Sequence, residues 1–312
     1  MAETLTVLAL GLRFRNPVLV ASGTFGYGDE YYELMPFSQL GGLVTKTVTA
    51  EPREGNPPPR IVETDSGMLN SIGLANVGLE VFIRDKLPWI AGHAGLAQVV
   101  VNFAGFSVEE FIEVGTRLGQ CNGIDALEVN LGCPNVRAGY VHFGADCESV
   151  RRIVGELRKN VRLPLVAKLS PNVTDIAALA AEAVGAGADA VSLINTLPGM
   201  KIDIHRRRPV IGMGFGGLSG PAIRPVGVAC VYKVFQRLRE MGAGQVPVIG
   251  IGGICSGSDA LEYIMAGASL VQVGTANFLH PLAARIVIDD LLEYCQSQGV
   301  DNISELVGAA HQ

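Results

Sequence analysis

The chain has 312 residues, 48% of them hydrophobic and 17% charged, with a formal net charge of −6. That hydrophobic share supplies a sizeable core and excludes a disordered chain. The negative balance argues against general nucleic-acid binding, yet leaves room for a local basic pocket. The six cysteines, Cys121, Cys133, Cys147, Cys230, Cys255 and Cys295, contain no C-x-x-C pair, so neither a zinc site nor an iron–sulfur cluster is expected on this chain. With no secretory signal at the start and no apolar run near the roughly 18 residues of a membrane span, the thiols read as reduced and the location as cytoplasmic.

Residues 1–16 carry Leu5-Thr-Val-Leu-Ala-Leu and Leu12-Arg-Phe-Arg, which read as a hairpin closing the bottom of the fold. Apolar, β-rich runs then recur at 17–22, 43–48, 98–103, 126–131, 165–169, 190–195, 246–251 and 270–274, mostly followed by helical patterns. Such near-continuous runs are strands buried on both faces, as in a parallel sheet covered by helices. Eight of them alternating with helices predict an α/β fold, a (β/α)8 TIM barrel forming one domain over residues 1–312. A doubly wound open sheet is the alternative, although it usually carries fewer strands. The stretches at Gly123-Ile-Asp-Ala-Leu-Glu-Val, Ala186-Gly-Ala-Asp-Ala-Val-Ser and Ala266-Gly-Ala-Ser-Leu-Val-Gln echo one another before strand ends, consistent with a repeated βα unit. Two Pro- and Gly-rich excursions, 50–80 and 197–221, read as inserted active-site loops. The Arg206-Arg207-Arg208 run within the second reads as a solvated face.

A barrel of this kind places its active site at the C-terminal ends of the strands. Those positions hold Ser22, Lys46, Thr47, Asn102, Asn130, Lys168, Asn195 and Thr196, followed by Gly252-Gly253 and Gly274-Thr275. A lysine inside an apolar strand is costly unless paired. An ion pair with a barrel carboxylate accounts for either lysine alone; two lysines with three asparagines, all at strand ends, favour a binding pocket. The glycines after the seventh and eighth strands let backbone N–H groups approach a phosphate. A phosphate there and lysines near the barrel axis fit flavin mononucleotide (FMN), with Lys168 placed to stabilise the negative charge of the reduced ring. No G-x-G-x-x-G lies between a strand and a helix, so a Rossmann mode of NAD binding is not expected.

The stretch Leu127-Glu-Val-Asn-Leu-Gly-Cys-Pro-Asn135 runs from buried strand into loop and holds Cys133 between Gly and Pro. A free Cys is usually a small core residue. One on a rigid loop start beside Asn130 is a candidate acid/base or nucleophile.

Together with Ala21-Ser22-Gly23, Thr45-Lys46-Thr47, Asn70-Ser71-Ile72-Gly73-Leu74, Ile194-Asn195-Thr196 and Gly216-Gly-Leu-Ser-Gly-Pro221, these residues resemble the catalytic subunit of class 1 dihydroorotate dehydrogenases, most closely the NAD-linked class 1B type. The resemblance spans essentially the whole chain. It departs at Gly132, where the family more often has Ser, which removes a hydroxyl near the site. The resemblance implies oxidation of (S)-dihydroorotate to orotate in pyrimidine biosynthesis, with hydride passing to FMN and a proton to Cys133 as catalytic base. It implies FMN contacts from Ser22, Lys46, Thr47, Asn102, Asn130, Lys168, Ile194, Gly220, Gly252, Gly253, Gly274 and Thr275. It further implies substrate contacts from Lys46, Asn70, Ser71, Ile72, Gly73, Leu74, Asn130, Asn195 and Thr196, with Asn135 within reach. One FMN per chain is expected. FAD and a [2Fe-2S] cluster are expected on a partner subunit that passes electrons to NAD, around a homodimeric core of a heterotetramer. Membrane-bound class 2 enzymes have Ser in place of this Cys and an N-terminal extension.

Three other readings compete. A tRNA-dihydrouridine synthase shares an Asn-x-Gly-Cys-Pro run, but the negative charge and the lack of a basic RNA-binding segment oppose it. A dihydropyrimidine dehydrogenase subunit has related chemistry, and Asn70 to Leu74 with Asn135-Val136-Arg137-x-Gly139 favours orotate instead. A flavin-binding scaffold without turnover would have no need of Cys133 beside the lysines and asparagines.

Overall fold

The computed structural model describes residues 3–132 and 146–311. Strands Val18–Val20, Gly42–Val44, Gln98–Phe103, Ala126–Asn130, Leu165–Lys168, Ala190–Leu193, Val248–Ile251 and Ala268–Val273 form one closed barrel. Every adjacent pair is parallel, and Val271 pairs with Val18 to join the eighth strand to the first. All residues of the fourth, fifth, sixth and seventh strands are buried. Each strand has one face in the barrel and one under helices, which is why their sequences read as unbroken apolar runs. All eight predicted strands are present; Gln98–Phe103 matches its predicted bounds, and the others begin or end one to four residues from theirs, where the backbone leaves the sheet for a loop.

The covering helices follow the same logic. Val108–Gly119 buries Val108, Phe111, Val114, Gly115 and Leu118, one stripe at helical spacing. Its N-cap Ser107 accepts a hydrogen bond from the Glu110 N–H, and Asp146, Asp175 and Ser256 cap later helices in the same way. These short polar caps end the βα loops and fix where each helix starts above the barrel rim. No described helix is long and apolar enough to cross a membrane.

The N-terminal hairpin forms from Val7–Ala9 and Leu12–Phe14. Gln98, the first residue of the third barrel strand, donates to the Arg13 carbonyl at 3.0 Å, so the hairpin lies at the N-terminal end of the barrel. The two excursions depart from the expectation of loops. Ile61–Thr64 and Gly67–Asn70 pair with each other; Gly67–Asn70 also pairs with Gly216–Ser219, and that strand with Leu197–Gly199. The result is an antiparallel four-stranded sheet built from both excursions. Strands of three or four residues rich in glycine carry almost no periodic signal, so pairing across such a sequence gap is settled only by the fold. Arg206, Arg207 and Arg208 are exposed at the far hairpin of the second excursion.

Candidate active site

A cavity opens at the C-terminal ends of the barrel strands, beside the sheet made by the excursions. It encloses about 210 Å³, within about 1210 Å³ of atom-free space when its open mouth is counted. That mouth gives room for a ligand of cofactor size.

The cavity gathers residues from nearly every strand end. Ser22, Lys46, Thr47, Asn130, Lys168, Ile194, Asn195 and Thr196 line it, as do Gly220, Gly252, Gly253, Gly274 and Thr275. From the first excursion come Asn70, Ile72, Gly73 and Leu74. Two expected contacts stand away from it. Asn102 is fully buried and its Nδ2 donates to Glu128 Oε1 at 2.7 Å, deeper in the barrel. Ser71 is buried, its N–H donating to the Arg60 carbonyl at 2.7 Å. Asn102 thus faces the barrel interior below the cavity rather than its wall. Cys133 and Asn135 lie outside the described residues. The sequence reading passed over Ser219, whose Oγ accepts from Thr275 Oγ1 at 2.8 Å, and the apolar wall formed by Met68, Ile223 and Phe278.

Polar side chains link across the floor. Asn130 Nδ2 reaches Thr47 Oγ1 at 3.5 Å, and Thr47 lies 3.4 Å from Ser22 Oγ. Asn195 Nδ2 donates to Asn130 Oδ1 at 3.3 Å and to the Gly132 carbonyl at 2.8 Å, while its own Oδ1 accepts from the Thr196 N–H at 2.8 Å. The amides of the fourth and sixth strand ends are thereby oriented by each other. Gly132 allows the fourth and fifth strand ends to approach closely. A Cβ there would stand 2.6 Å from the Ser170 Cβ and 3.0 Å from the Ser170 nitrogen, which gives the departure at this position a steric reason.

Charge and backbone divide the cavity into two ends. Lys46 and Lys168 line it, and none of its lining residues is acidic among those described. Lys168 is buried, and its Nζ lies 3.6 Å from Glu128 Oε1. The lysine therefore has both of the roles weighed for it, a barrel ion pair and a place at the cavity. At the other end Gly220, Gly252 and Gly253 hold positive φ of 90°, 124° and 71°, leaving bare backbone at the wall. A Cβ on Gly253 would stand 2.8 Å from the Gly220 carbonyl oxygen. Beneath them the buried Tyr263 hydroxyl donates to the carbonyls of Gly252 at 2.7 Å and Ile251 at 3.2 Å, and burial pushes its ionisation well above the usual tyrosine range. A bare-backbone cradle at one end and an ammonium at the other fit a phosphorylated cofactor with an electron-rich ring.

None of the other five cysteines lines the cavity. Burial raises the ionisation of Cys121, Cys230, Cys255 and Cys295. Among the described residues no group of His, Cys, Asp and Glu could hold a metal ion.

Comparisons with known proteins agree with this arrangement. The family model described as dihydroorotate dehydrogenase matches residues 4–294. A relative from Desulforudis audaxviator, the catalytic subunit of dihydroorotate dehydrogenase B (NAD(+)), is 52% identical over 98% of this chain and 97% of its own length. The proteins of that name from Geotalea daltonii and Pelobacter propionicus are 47% and 48% identical, covering 98% and 99% of this chain and 97% and 99% of their own lengths. Among solved structures, the crystal structure of DHODH in complex with ferulenol from Eimeria tenella superposes with a TM-score of 0.83 at 25% identity, covering 100% of this chain and 90% of that one. With a parallel barrel, a cationic mouth and relatives of nearly equal length sharing about half its residues, the chain belongs to the dihydroorotate dehydrogenase family.

Proposed function

We propose that this chain is the FMN-bearing catalytic subunit of an NAD-linked dihydroorotate dehydrogenase, oxidising (S)-dihydroorotate to orotate in pyrimidine biosynthesis. The observation that carries the reading is the lysine and amide set at the strand ends, Lys46, Lys168, Asn130 and Asn195, in a cavity whose described lining holds no acid. FMN would lie with its phosphate against Gly252, Gly253, Gly274 and Thr275 and with its ring over Lys168. When bound, it supplies the two-electron acceptor.

The chain's own residues do the rest. Dihydroorotate loses a proton from C5, which is α to a carbonyl, so the departing proton leaves enolate-like charge behind. Cys133, as thiolate, is the base for that proton. Lys46 and the paired amides of Asn130 and Asn195 bind the substrate's carboxylate and ring amides, and Asn70, Ile72, Gly73 and Leu74 close the site from the first excursion. Amides that already orient each other reject analogues lacking a partner group, because a buried amide is then left unpaired.

As a single FMN barrel over residues 1–312, the chain works in the cytoplasm beside a partner subunit that carries FAD and a [2Fe-2S] cluster, in a heterotetramer built on a homodimer of this chain. The test is an anaerobic visible spectrum of the purified protein before and after L-dihydroorotate. Flavin bands that bleach with dihydroorotate, and stay bleached when NAD is added without a partner, are expected. Flavin bands indifferent to dihydroorotate would overturn the substrate assignment, and no flavin at all would overturn the cofactor.

A further inference from the structure

The buried acid of the barrel has no part in the chemistry above. Glu128 lies two residues before Asn130 on the strand Ala126–Asn130, so both side chains point into the barrel and Glu128 sits one layer below the cavity floor. It is fully buried. Its carboxylate collects groups from four other strands. Asn102 Nδ2 donates to Oε1 at 2.7 Å, while Ser192 Oγ and Gln272 Nε2 donate to Oε2 at 2.8 and 2.9 Å. The fourth is the Lys168 ammonium, 3.6 Å from Oε1.

Burying a carboxylate for stability alone is a poor exchange, since a well-packed apolar side chain usually serves as well. The neutral donors account for how the acid is tolerated. They do not account for its being placed directly under the one cavity lysine that is itself buried. That ammonium touches both the acid below and the cavity above.

We infer that Glu128 is a positioning residue for the cofactor site: it holds the Lys168 ammonium at the cavity floor and sets the net charge that a bound flavin meets there. This rests on the FMN reading above. With Glu128 ionised, the pair is neutral overall and presents its positive end to the cavity. Taking away the negative charge leaves an uncompensated ammonium under the ring, which favours the reduced, more negative flavin over the oxidised one. The acid thus keeps the flavin from becoming too strong an oxidant, so that its electrons can move on.

Glu128→Gln removes the charge and keeps the shape. The new amide can be accommodated, because Asn102 Oδ1 and Gln272 Oε1 are buried acceptors with no partner among the described residues, and an amide flip turns one of them toward it. The measurement is the midpoint potential of the flavin in purified, FMN-loaded protein. Glu128→Gln is expected to raise it by an amount equal to at least a tenfold gain in affinity for reduced over oxidised flavin, or about 30 mV for a two-electron couple. Ser192→Ala removes a donor without removing charge and is expected to leave the potential in place. An unchanged potential in Glu128→Gln, or an equal shift in Ser192→Ala, overturns the inference. Should Glu128→Gln fail to fold, the comparison moves to Lys168→Gln against Lys168→Gln/Glu128→Gln, in which no lone buried cation is left. The double variant is expected to have the higher potential, and equal potentials overturn the inference as well. Wild-type protein without flavin bands would overturn the FMN reading itself.

Discussion

Gly253→Ala tests whether the glycine wall of the cavity is a cradle or merely a turn. Gly253 has φ of +71°, and a left-handed backbone costs an L-residue about 1–2 kcal/mol. Gly299, at the end of the helix Ala283–Gln298, has nearly the same φ of +67° and nothing within 4 Å of where a Cβ would stand. The two substitutions therefore share the conformational cost and differ in surroundings. A Cβ at Gly253 would stand 2.8 Å from both the Gly220 oxygen and the Arg224 Cβ, closer than real Cβ contacts come. Neither neighbour is the free end of a flexible side chain, so the backbone of the wall has to shift. Forced overlap of this kind adds about 1–3 kcal/mol.

Gly299→Ala is thus expected to lower unfolding stability by about 1–2 kcal/mol and leave FMN binding alone. Gly253→Ala is expected to lose stability by more than that and to weaken FMN binding about tenfold or more, since about 1.4 kcal/mol of distortion carried into the bound state is a factor of ten. Denaturant melts give the first quantity, and titration of apoprotein with FMN, followed by flavin fluorescence quenching, gives the second. If Gly253→Ala takes up FMN as tightly as Gly299→Ala, the wall does not depend on close backbone approach and the cradle argument is wrong.

Three further outcomes are expected. Cys133→Ala retains bound flavin and loses dihydroorotate-dependent bleaching by orders of magnitude in stopped-flow absorbance; near-wild-type reduction would remove the base assignment. Asn195→Ala deletes the donor to Asn130 Oδ1 and to the Gly132 carbonyl, leaving Asn130 with its longer 3.5 Å contact to Thr47 Oγ1; KM for dihydroorotate should rise about tenfold, from roughly 1–2 kcal/mol of lost hydrogen bonding, with flavin content unchanged. Stability should fall at alkaline pH, because burial raises the ionisation of Tyr263, Cys230 and Cys255 in the folded chain. The sign follows from the folded state binding more protons. These groups ionise freely only when unfolded, so the loss starts near the ordinary thiol value, about 8.5, and steepens past the tyrosine value of about 10, by up to about 1.4 kcal/mol per pH unit for each group. Denaturant melts from neutral to alkaline pH should show a shallower decline for Tyr263→Phe than for the wild type.

The eight barrel strands were legible in the sequence because a strand buried on both faces must be apolar along its whole length, and that is a local property. The strand-end residues were legible for a related reason. A lysine or asparagine closing an apolar run stands out whatever the rest of the chain does, and Lys46, Asn130, Lys168 and Asn195 were found that way. Glu128 carried the same signal as Lys168, a charge inside an apolar strand, but nothing local says which four strands will surround it. The side of the barrel that Asn102 faces, and the pairing of the two glycine-rich excursions into one sheet, were likewise decided only by tertiary structure. Sequence patterns report burial one residue at a time. Which buried groups meet depends on closing the barrel, which brings together strands more than a hundred residues apart.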